Sequence, residues 1–199
     1  GSGGHARVVI DSLKKLKYDL IGIVDINYNN IKEKILDIPV LGNLEILYNY
    51  NRQEISLHVS IGDCNIRKQI FNKLKKNDFL FQNIIDPDAI VSKFVIFGNS
   101  IFVNAGAILN SNVIVKDNVI INTSAILEHE VEINSHSHIG PKALICGRSK
   151  IDSSTFIGAG ATIINNINIG SNCVIGAGSV VINNVGNFEK VAGNPAKKI

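Results

Sequence analysis

The hydrophobic positions divide the chain into two stretches with different periods. Up to about residue 85, short apolar runs alternate with segments of helical spacing, whereas beyond it an apolar side chain recurs at every sixth position. Alternating strand and helix signals are typical of an α/β domain, and a fixed six-residue period is typical of a solenoid of short strands. The sequence therefore predicts an α/β domain over residues 1–85 and an all-β domain over residues 86–199.

The first domain has the element order of a parallel sheet covered by helices. Apolar side chains with helical spacing follow the opening glycines, at Val8, Val9, Ile10, Leu13 and Leu16. A second helix is predicted over residues 66–74, and buried strands are predicted over residues 20–25, 57–63 and 79–85. Short connections between these elements favour a half-Rossmann arrangement.

Glycines at the start of the chain have the spacing of a nucleotide-binding loop. Gly1-x-Gly3-x-x-Ala6, with Asp25 ending the next predicted strand, has the spacing of the dinucleotide fingerprint. Such a loop follows a strand, so we expect the sequence to begin inside a longer reading frame that supplies this first strand. One mononucleotide-binding half favours a nucleotide or nucleotide sugar over a nicotinamide cofactor. A tight glycine turn without a ligand is the alternative.

The six-residue repeat is the strongest pattern in the chain. Seventeen consecutive positions from Ile85 to Val181, six residues apart, are apolar. Small side chains often stand four residues after each apolar position, at Ala89, Ala107, Ala125, Ser137, Ala143, Thr155, Ala161, Cys173 and Ser179. Gly or Asn often follows it directly, where we expect these residues to accept the turn geometry. Each repeat therefore predicts one short strand with an inward apolar side chain, and then a turn.

Composition narrows the possible partners and the compartment. The net charge of 20 − 17 = +3 is too small to indicate a nucleic-acid or polybasic membrane partner. Cys64, Cys146 and Cys173 are odd in number and form no Cys-x-x-Cys pair, so neither disulfides nor a thiolate zinc site is expected. With no apolar run long enough to span a membrane and no leader pattern, a cytoplasmic location is expected.

This repeat resembles the left-handed parallel β-helix of hexapeptide-repeat acyltransferases, whose three-sided coils have eighteen residues. Residues 91–181 would form about five coils, and the ending from Val191 to Lys197 resembles that superfamily's closing motif. An eighteen-residue coil places His129 between Ser111 and Gly147 on one edge, where the glycine leaves a notch without a side chain. His129 and His138 both fall outside the inward positions, so both should face outward.

His129 is the candidate catalytic group. Glu128 and Glu130 flank it, and a carboxylate can fix the tautomer of an imidazole and raise its basicity. Spacing alone leaves open which of the two acids orients the ring. A solvated surface histidine without a catalytic role is the alternative.

Longer motifs resemble the sialic acid O-acyltransferase and bacillosamine N-acetyltransferase family. The similarity covers almost all 199 residues. It rests on residues 122–130 and 137–141, the opening Gly-Ser-Gly-Gly-His, Asp25, residues 61–63 with Arg67, and the Gly-Asn-Pro-Ala-Lys ending. These motifs are specific to the family but not to one substrate within it.

The resemblance implies a role for each matching position. His129 would deprotonate the incoming sugar amine or hydroxyl, Glu130 would support it, and the N–H of Gly147 would meet the thioester carbonyl. His138 would lie near the acetyl group. Four backbone positions would line the pantetheine groove, Gly158, Ala159, Ala177 and Gly178. Four positions of the first domain would form the nucleotide-sugar pocket, Gly3, His5, Asp25 and Gly62. His136 matches no role in the family.

The expected function is an acetyl-CoA-dependent N-acetyltransferase that acts on a nucleotide-linked 4-amino sugar in bacterial surface glycan biosynthesis. No metal is expected, and the family resemblance implies a homotrimer with sites at subunit boundaries. A sialic acid O-acetyltransferase shares every motif and is the main alternative. A metal-dependent lyase of the carbonic anhydrase type, using His129, His136 and His138, and a non-catalytic β-helix scaffold are weaker alternatives.

Overall fold

The computed structural model describes residues 1–28 and 34–199. Its α/β domain contains helices α1 (Gly4–Lys15) and α2 (Cys64–Lys75) and a 3-10 helix (Leu44–Asn49). Its strands are β1 (Ile23–Val24), β2 (Lys34–Ile35), β3 (Ile38–Gly42), β4 (Ser56–Leu57) and β5 (Leu80–Phe81). None of the helices in the described residues has the length and apolar character that crossing a bilayer requires.

Both predicted helices are present, and each begins where local chemistry allows. Helix α1 starts four residues before the first predicted apolar position, directly after Gly3 in an extended conformation, and buries Val9 and Ile10. Helix α2 starts after Asp63, whose carboxylate accepts the N–H groups of Asn65 and Ile66 at 2.9 and 2.8 Å. A side chain of this kind satisfies two otherwise unpaired donors of the first turn and fixes the helix start.

The small sheets differ from the single parallel sheet that alternation predicts. Strand β1 pairs with β3 in parallel, β2 pairs with β3 antiparallel, and β4 and β5 form a separate parallel pair. The strand predicted over residues 20–25 is only two residues long, and the strand predicted over residues 57–63 is wrong apart from Leu57, since β4 ends there. An apolar cavity of about 280 Å³ is lined by both sheets, so their facing edges do not pair with one another.

The remaining strands stack into three parallel faces of a left-handed β-helix. Face I contains β6 (Ile84–Ile85), β9 (Phe102–Val103), β12 (Ile120–Ile121), β15 (His138–Ile139), β18 (Phe156–Ile157), β21 (Val174–Ile175), β23 (Lys190–Gly193) and β24 (Ala196–Lys198). Face II contains β7 (Ile90–Val91), β10 (Ile108–Leu109), β13 (Ile126–Leu127), β16 (Leu144–Ile145), β19 (Thr162–Ile163) and β22 (Val180–Val181). Face III contains β8 (Ile96–Phe97), β11 (Ile114–Val115), β14 (Glu132–Ile133), β17 (Lys150–Ile151) and β20 (Asn168–Ile169).

From β6 to β22, the rungs of the β-helix pair with residues eighteen positions away, whereas β21 pairs with β23 at a spacing of sixteen. Ile126, for example, pairs with Ile108 below it and with Leu144 above it. The second residue of each central strand is buried in the axis, as are the small side chains four residues later. The predicted coil length and inward register are therefore confirmed. The first rung, Ile84–Ile85, lies inside the residues predicted to form the third strand of the α/β domain.

The turn chemistry differs from the prediction. The left-handed conformation falls on the third residue after each inward apolar position, at every sixth residue from Ser100 to Gly178, and not on the first. The first position after the apolar residue favours glycine for a steric reason, because an added Cβ at Gly140 or Gly158 would lie 2.5 Å from backbone atoms of the next coil. Close stacking of coils, not turn conformation, explains these glycines.

The α/β domain docks on face I through a buried arginine. Arg67 of α2 is 1% exposed and donates hydrogen bonds to Cys64 Sγ at 3.8 Å and to five backbone carbonyls. The carbonyls belong to Ile61 and Gly62 of its own domain and to Asn118, His136 and Ser137 of the β-helix, at 2.7 to 3.1 Å. The guanidinium thereby joins the loop before α2 to the edge between faces III and I.

Candidate active site

The ring of His129 lies over Gly147 on the edge between faces II and III. His129 follows β13, and Gly147 follows β16 one coil further on. A Cβ built on Gly147 would lie 2.5 Å from His129 Nε2 and 2.6 Å from Cε1. The glycine therefore provides the space that the imidazole occupies. The side chain of His129 is 56% exposed, so the ring remains accessible from outside.

Glu130, and not Glu128, orients the imidazole. Glu130 Oε2 lies 3.0 Å from His129 Nδ1, whereas Glu128 accepts a hydrogen bond from Asn110 at 3.0 Å. An ionised carboxylate only accepts hydrogen bonds, so Nδ1 carries the proton and Nε2 presents its lone pair beside Gly147. Hydrogen bonds from Arg148 and then from His129 lower the pKa of Glu130, which keeps this acid ionised.

The backbone N–H of Gly147 is a free donor beside that lone pair. It makes no hydrogen bond within the described residues, whereas its carbonyl accepts the N–H of Asn166 at 3.1 Å. Gly147 is buried beneath the exposed ring of His129. A proton acceptor and an unpaired N–H on neighbouring coils can serve a nucleophile and the oxyanion that its attack creates. The arrangement therefore suits acyl transfer.

The glycine-rich loop is held by Asp25. The Asp25 carboxylate accepts the Ser2 N–H and hydroxyl at 2.7 and 2.6 Å, and the Asn27 N–H at 2.8 Å. Burial tends to raise the pKa of Asp25, but these hydrogen bonds outweigh it and the net shift is downward. Gly3 immediately precedes α1, and a Cβ built on it would meet no atom within 4 Å. The start of α1 is thus open on its outer side.

Two predicted histidines meet where the domains join. The ring of His5 packs edge-on against Phe102 and lies 6.3 Å from the ring of His138, centroid to centroid. His138 donates from Nδ1 to the Gly62 carbonyl at 3.1 Å, and its Nε2 accepts from Asn122 at 3.1 Å. Burial is the main cause that lowers the pKa of His5 to about 3 and that of His138 to about 4. Both rings are therefore neutral at pH 7.

The four predicted pantetheine positions lie on a third location, the edge between faces I and II. Gly158 and Ala159 follow β18, and Ala177 and Gly178 follow β21. Gly158 is buried against the next coil, whereas Ala159, Ala177 and Gly178 are exposed. One chain therefore brings His129, Glu130 and Gly147 together. It places the pantetheine positions on another edge, and it places His138 with the nucleotide-sugar positions on face I and the domain beside it.

Two contacts were missed by sequence reasoning. Arg148 donates to Glu130 at 2.9 Å, a pairing that the eighteen-residue spacing could have indicated. His136 packs against Phe71 of α2 and pairs with Asn118 at 2.9 Å, so it belongs to the contact between domains.

The described residues contain no group of three or more His, Cys, Asp or Glu side chains that could hold a metal ion. His136 lies at the domain contact, away from His129.

Comparisons with known proteins match both domains. Residues 1–74 match the family described as the PglD N-terminal domain, and residues 148–183 match the bacterial transferase hexapeptide repeat. No curated protein matches the chain.

Solved structures match the chain along its whole length. A histidine-to-asparagine variant of perosamine N-acetyltransferase from Caulobacter crescentus, in complex with CoA and GDP-perosamine, is 33% identical, with a TM-score of 0.95 over 100% of this chain and 94% of that chain. The acetyltransferase domain of PglB from Neisseria gonorrhoeae, in complex with acetyl coenzyme A, is 32% identical, with a TM-score of 0.95 over 100% and 96%. WeeI from Acinetobacter baumannii, at 19% identity and a TM-score of 0.91 over 100% and 97%, supports the fold alone.

Proposed function

Because this chain belongs to the family of hexapeptide-repeat sugar acyltransferases with a PglD N-terminal domain, we propose that it acetylates the amine of a nucleotide-linked 4-amino sugar, with acetyl-CoA as donor. The observation that carries the proposal is the ring of His129, held by Glu130 and seated over Gly147. Similarity to an enzyme solved with CoA and GDP-perosamine supports the choice of donor and acceptor. The product would serve bacterial surface glycan biosynthesis.

The site residues divide the reaction between them. The neutral sugar amine attacks the thioester carbonyl, forming the new C–N bond, and the Gly147 N–H donates to the developing oxyanion. His129 Nε2 accepts the proton that the nitrogen loses. Collapse of the intermediate breaks the C–S bond, and His129 returns the proton to the CoA thiolate. CoA supplies the activated acyl group, and the protein supplies position and electrostatics.

The α/β domain supplies the acceptor site in this proposal. Gly3 leaves the start of α1 open, and Asp25 fixes the loop that precedes it. Unpaired N–H groups at a helix start bind phosphate, which suits the diphosphate of a nucleotide sugar. His5 and Gly62 lie near His138 on the β-helix side of the same domain. Calorimetry should detect binding of GDP- or UDP-sugar and no binding of NAD(H).

A complete site in this proposal needs more than one copy of the chain. His129 lies on the edge between faces II and III, the pantetheine positions lie on the edge between faces I and II, and the α/β domain covers face I. These two edges lie at opposite sides of face II, so the side chains of a single chain do not bring His129 and the pantetheine positions together. We therefore propose a homotrimer, in which one copy's His129 edge meets the pantetheine edge and α/β domain of the next.

The outer surface of face II supports this assembly. Five of its six outward strand positions are apolar, Ile90, Ile108, Ile126, Leu144 and Val180, and the sixth is Thr162. Face III has Ile96 and Ile114 at its first two outward positions but Glu132, Lys150 and Asn168 at the other three. An apolar stripe flanked by the two edges that carry candidate site residues fits a second copy of the chain. Light scattering should give three times 21.6 kDa, and an active monomer would contradict the trimer.

A thiol-release assay with acetyl-CoA tests the activity. Acceptors should include GDP-perosamine, UDP-linked 4-amino sugars, and free and CMP-linked sialic acid. We expect release of CoA thiol only with the amino sugars, and mass spectrometry should show one added acetyl group on nitrogen. Turnover with a sialic acid, and none with any amino sugar, would instead identify an O-acetyltransferase.

A further inference from the structure

An ion pair beside His129 involves a residue that the acetyl transfer described above does not use. Arg148 follows Gly147 and donates its Nε–H to Glu130 Oε2 at 2.9 Å. The same oxygen accepts the Nδ1–H of His129 at 3.0 Å. The backbone N–H of Arg148 also donates to the carbonyl of His129 at 3.0 Å. One carboxylate oxygen therefore joins the imidazole to the guanidinium, and the coil register fixes both ends.

The backbone at this pair adopts a conformation that long side chains rarely take. Glu130 and Arg148 have φ values of 60° and 61°. The neighbours in the same column of this edge are Asn112 and Asn166, with φ values of 62° and 60°. Asparagine enters this left-handed region more readily than Glu or Arg does. Lys142 takes the same conformation at its own turn, so the turn accepts a long side chain, and the contact between their side chains is what distinguishes Glu130 and Arg148.

The charges around His129 oppose one another. A carboxylate beside an imidazole stabilises the protonated ring, and a cation on that carboxylate reduces the effect. Arg148, ahead of His129, is the main cause that holds the pKa of Glu130 below its usual range. The coil below presents three uncharged residues to this edge, Asn110, Ser111 and Asn112. Glu128, the other charged group on this turn, accepts a hydrogen bond from Asn110. The coil above presents Cys146, Gly147 and Arg148 to the same edge.

We propose that Arg148 is a positioning residue for the transfer, which holds the Glu130 carboxylate against His129 Nδ1 and partly offsets the charge of that carboxylate. The guanidinium suits this task because its planar donors fix a carboxylate more firmly than an ammonium group does. This inference rests on the proposed function, since it assigns His129 as the base.

Proton NMR of the imidazole tests the proposal without requiring activity. In the full-length protein, the Cε1–H signal of His129, assigned by its loss in His129→Ala, is followed against pH. Arg148→Gln removes the charge at nearly constant length, and the titration midpoint of His129 should rise by about 0.5 pH unit or more. Arg148→Lys should stay closer to wild type. Lys116→Ala, which removes an exposed cation on the edge between faces III and I, should leave the midpoint unchanged.

A double-mutant cycle shows whether the effect passes through Glu130. In a Glu130→Gln background, Arg148→Gln should shift the midpoint much less, because the guanidinium has already lost the carboxylate that holds it near the ring. With acetyl-CoA and GDP-perosamine, the acid limb of kcat/KM for Arg148→Gln should move with the NMR midpoint. Its kcat at pH 7 should fall roughly 3- to 10-fold, with KM for acetyl-CoA within about twofold.

The outcomes separate this inference from the proposed function. An unchanged midpoint, or an equal shift in the Glu130→Gln background, would overturn the role of Arg148. So would a raised KM for acetyl-CoA with no change in the pH profile, because Arg148 would then contact the ligand directly. The expected shift without acetyl transfer to any acceptor would refute the proposed function, while the coupling of the three side chains would stand.

Discussion

The two domains of this chain reach their structures by different means. In the β-helix, each coil repeats the one below it, and residue n lies against residues n − 18 and n + 18. In the α/β domain, strands of two to five residues form two separate small sheets, and one buried arginine donates to three carbonyls of the β-helix. The neighbours of a residue on the β-helix can therefore be identified from the eighteen-residue spacing, whereas those of a residue in the α/β domain depend on individual contacts.

This difference bears directly on function. The His129 edge is built on a rigid, close-packed column whose central axial side chains are fully buried. The positions proposed to hold the nucleotide sugar lie on the loop held by Asp25, at the start of α1 and before α2, near an apolar cavity of about 280 Å³. In the proposed function, the chemistry lies on the regular domain and recognition of the acceptor lies on the less regular one. Substitutions in the two domains should have effects of different kinds.

The largest expected effect comes from removing the proposed base. His129→Ala leaves the inward register of the coil intact, because the ring projects outward and is 56% exposed. Turnover should fall by roughly 10²–10⁴-fold, while circular dichroism and acetyl-CoA affinity stay near wild type. Steady-state kinetics and calorimetry measure the two quantities. Near-native turnover at neutral pH would contradict the assignment of the active edge even though the fold is right.

The next effect concerns the notch beneath the ring. A Cβ on Gly147 would lie 2.5 Å from His129 Nε2, so Gly147→Ala must displace the imidazole, and turnover should fall by roughly 10–10²-fold. Gly147→Val should also weaken acetyl-CoA binding, because a branched side chain fills the space for the thioester. The matched control is Gly186→Ala, where the nearest contact is the Glu189 side chain at 3.4 Å. If Gly147→Val leaves both binding and rate intact, the thioester does not lie at this notch.

Sequence periodicity was sufficient for the β-helix but not for all of its details. The eighteen-residue spacing correctly placed Gly147 beneath His129. It could not choose between Glu128 and Glu130, because that choice depends on the left-handed turn at Glu130, which directs its carboxylate to the ring. The same spacing pairs Glu130 with Arg148, so this contact was within reach of the sequence.

The α/β domain was less predictable for physical reasons. Its helices follow from apolar spacing, but its strands are shorter than the apolar runs that contain them, since a strand needs a paired neighbour as well as buried side chains. The partners of Arg67 are carbonyls of turns in the other domain, and a carbonyl carries no residue-type signal. The place of His136 in the domain contact follows from that docking and not from any motif.

Acid should affect the contact between the domains before it affects the β-helix axis. Burial is the main cause that lowers the pKa of His5 to about 3 and the pKa values of His58, His136 and His138 to about 4. The unfolded chain has His pKa values near 6.5 and binds more protons, so stability should fall as pH drops from about 6.5 towards 4. The charged groups that face these rings are Arg67, Lys68, Lys75, Asp117 and the N-terminal amine.

Differential scanning calorimetry between pH 7 and pH 5 measures this effect. The transition of the α/β domain should move down by roughly 5 °C or more, and that of the β-helix should move less. His136→Gln removes one of the titrating groups and should reduce the shift. Equal shifts of both transitions, or a shift that His136→Gln does not change, would show that these histidines do not control the docking.

The smallest expected effect comes from removing a single methylene group in each domain, which compares the packing of the two domains most directly. Ile139 and Ile157 occupy equivalent axial positions in successive coils and are both 0% exposed. Each Ile→Val change should cost about 1 kcal/mol in urea unfolding, and the two costs should agree closely because their surroundings repeat. Ile23→Val should cost less, since Ile23 is 7% exposed and borders the apolar cavity, where a lost methyl group gives up fewer contacts. Unequal costs in the two coils would mean that repetition does not make the β-helix environment uniform. An equal cost at Ile23 would mean that the two domains do not differ in how tightly they pack their apolar side chains.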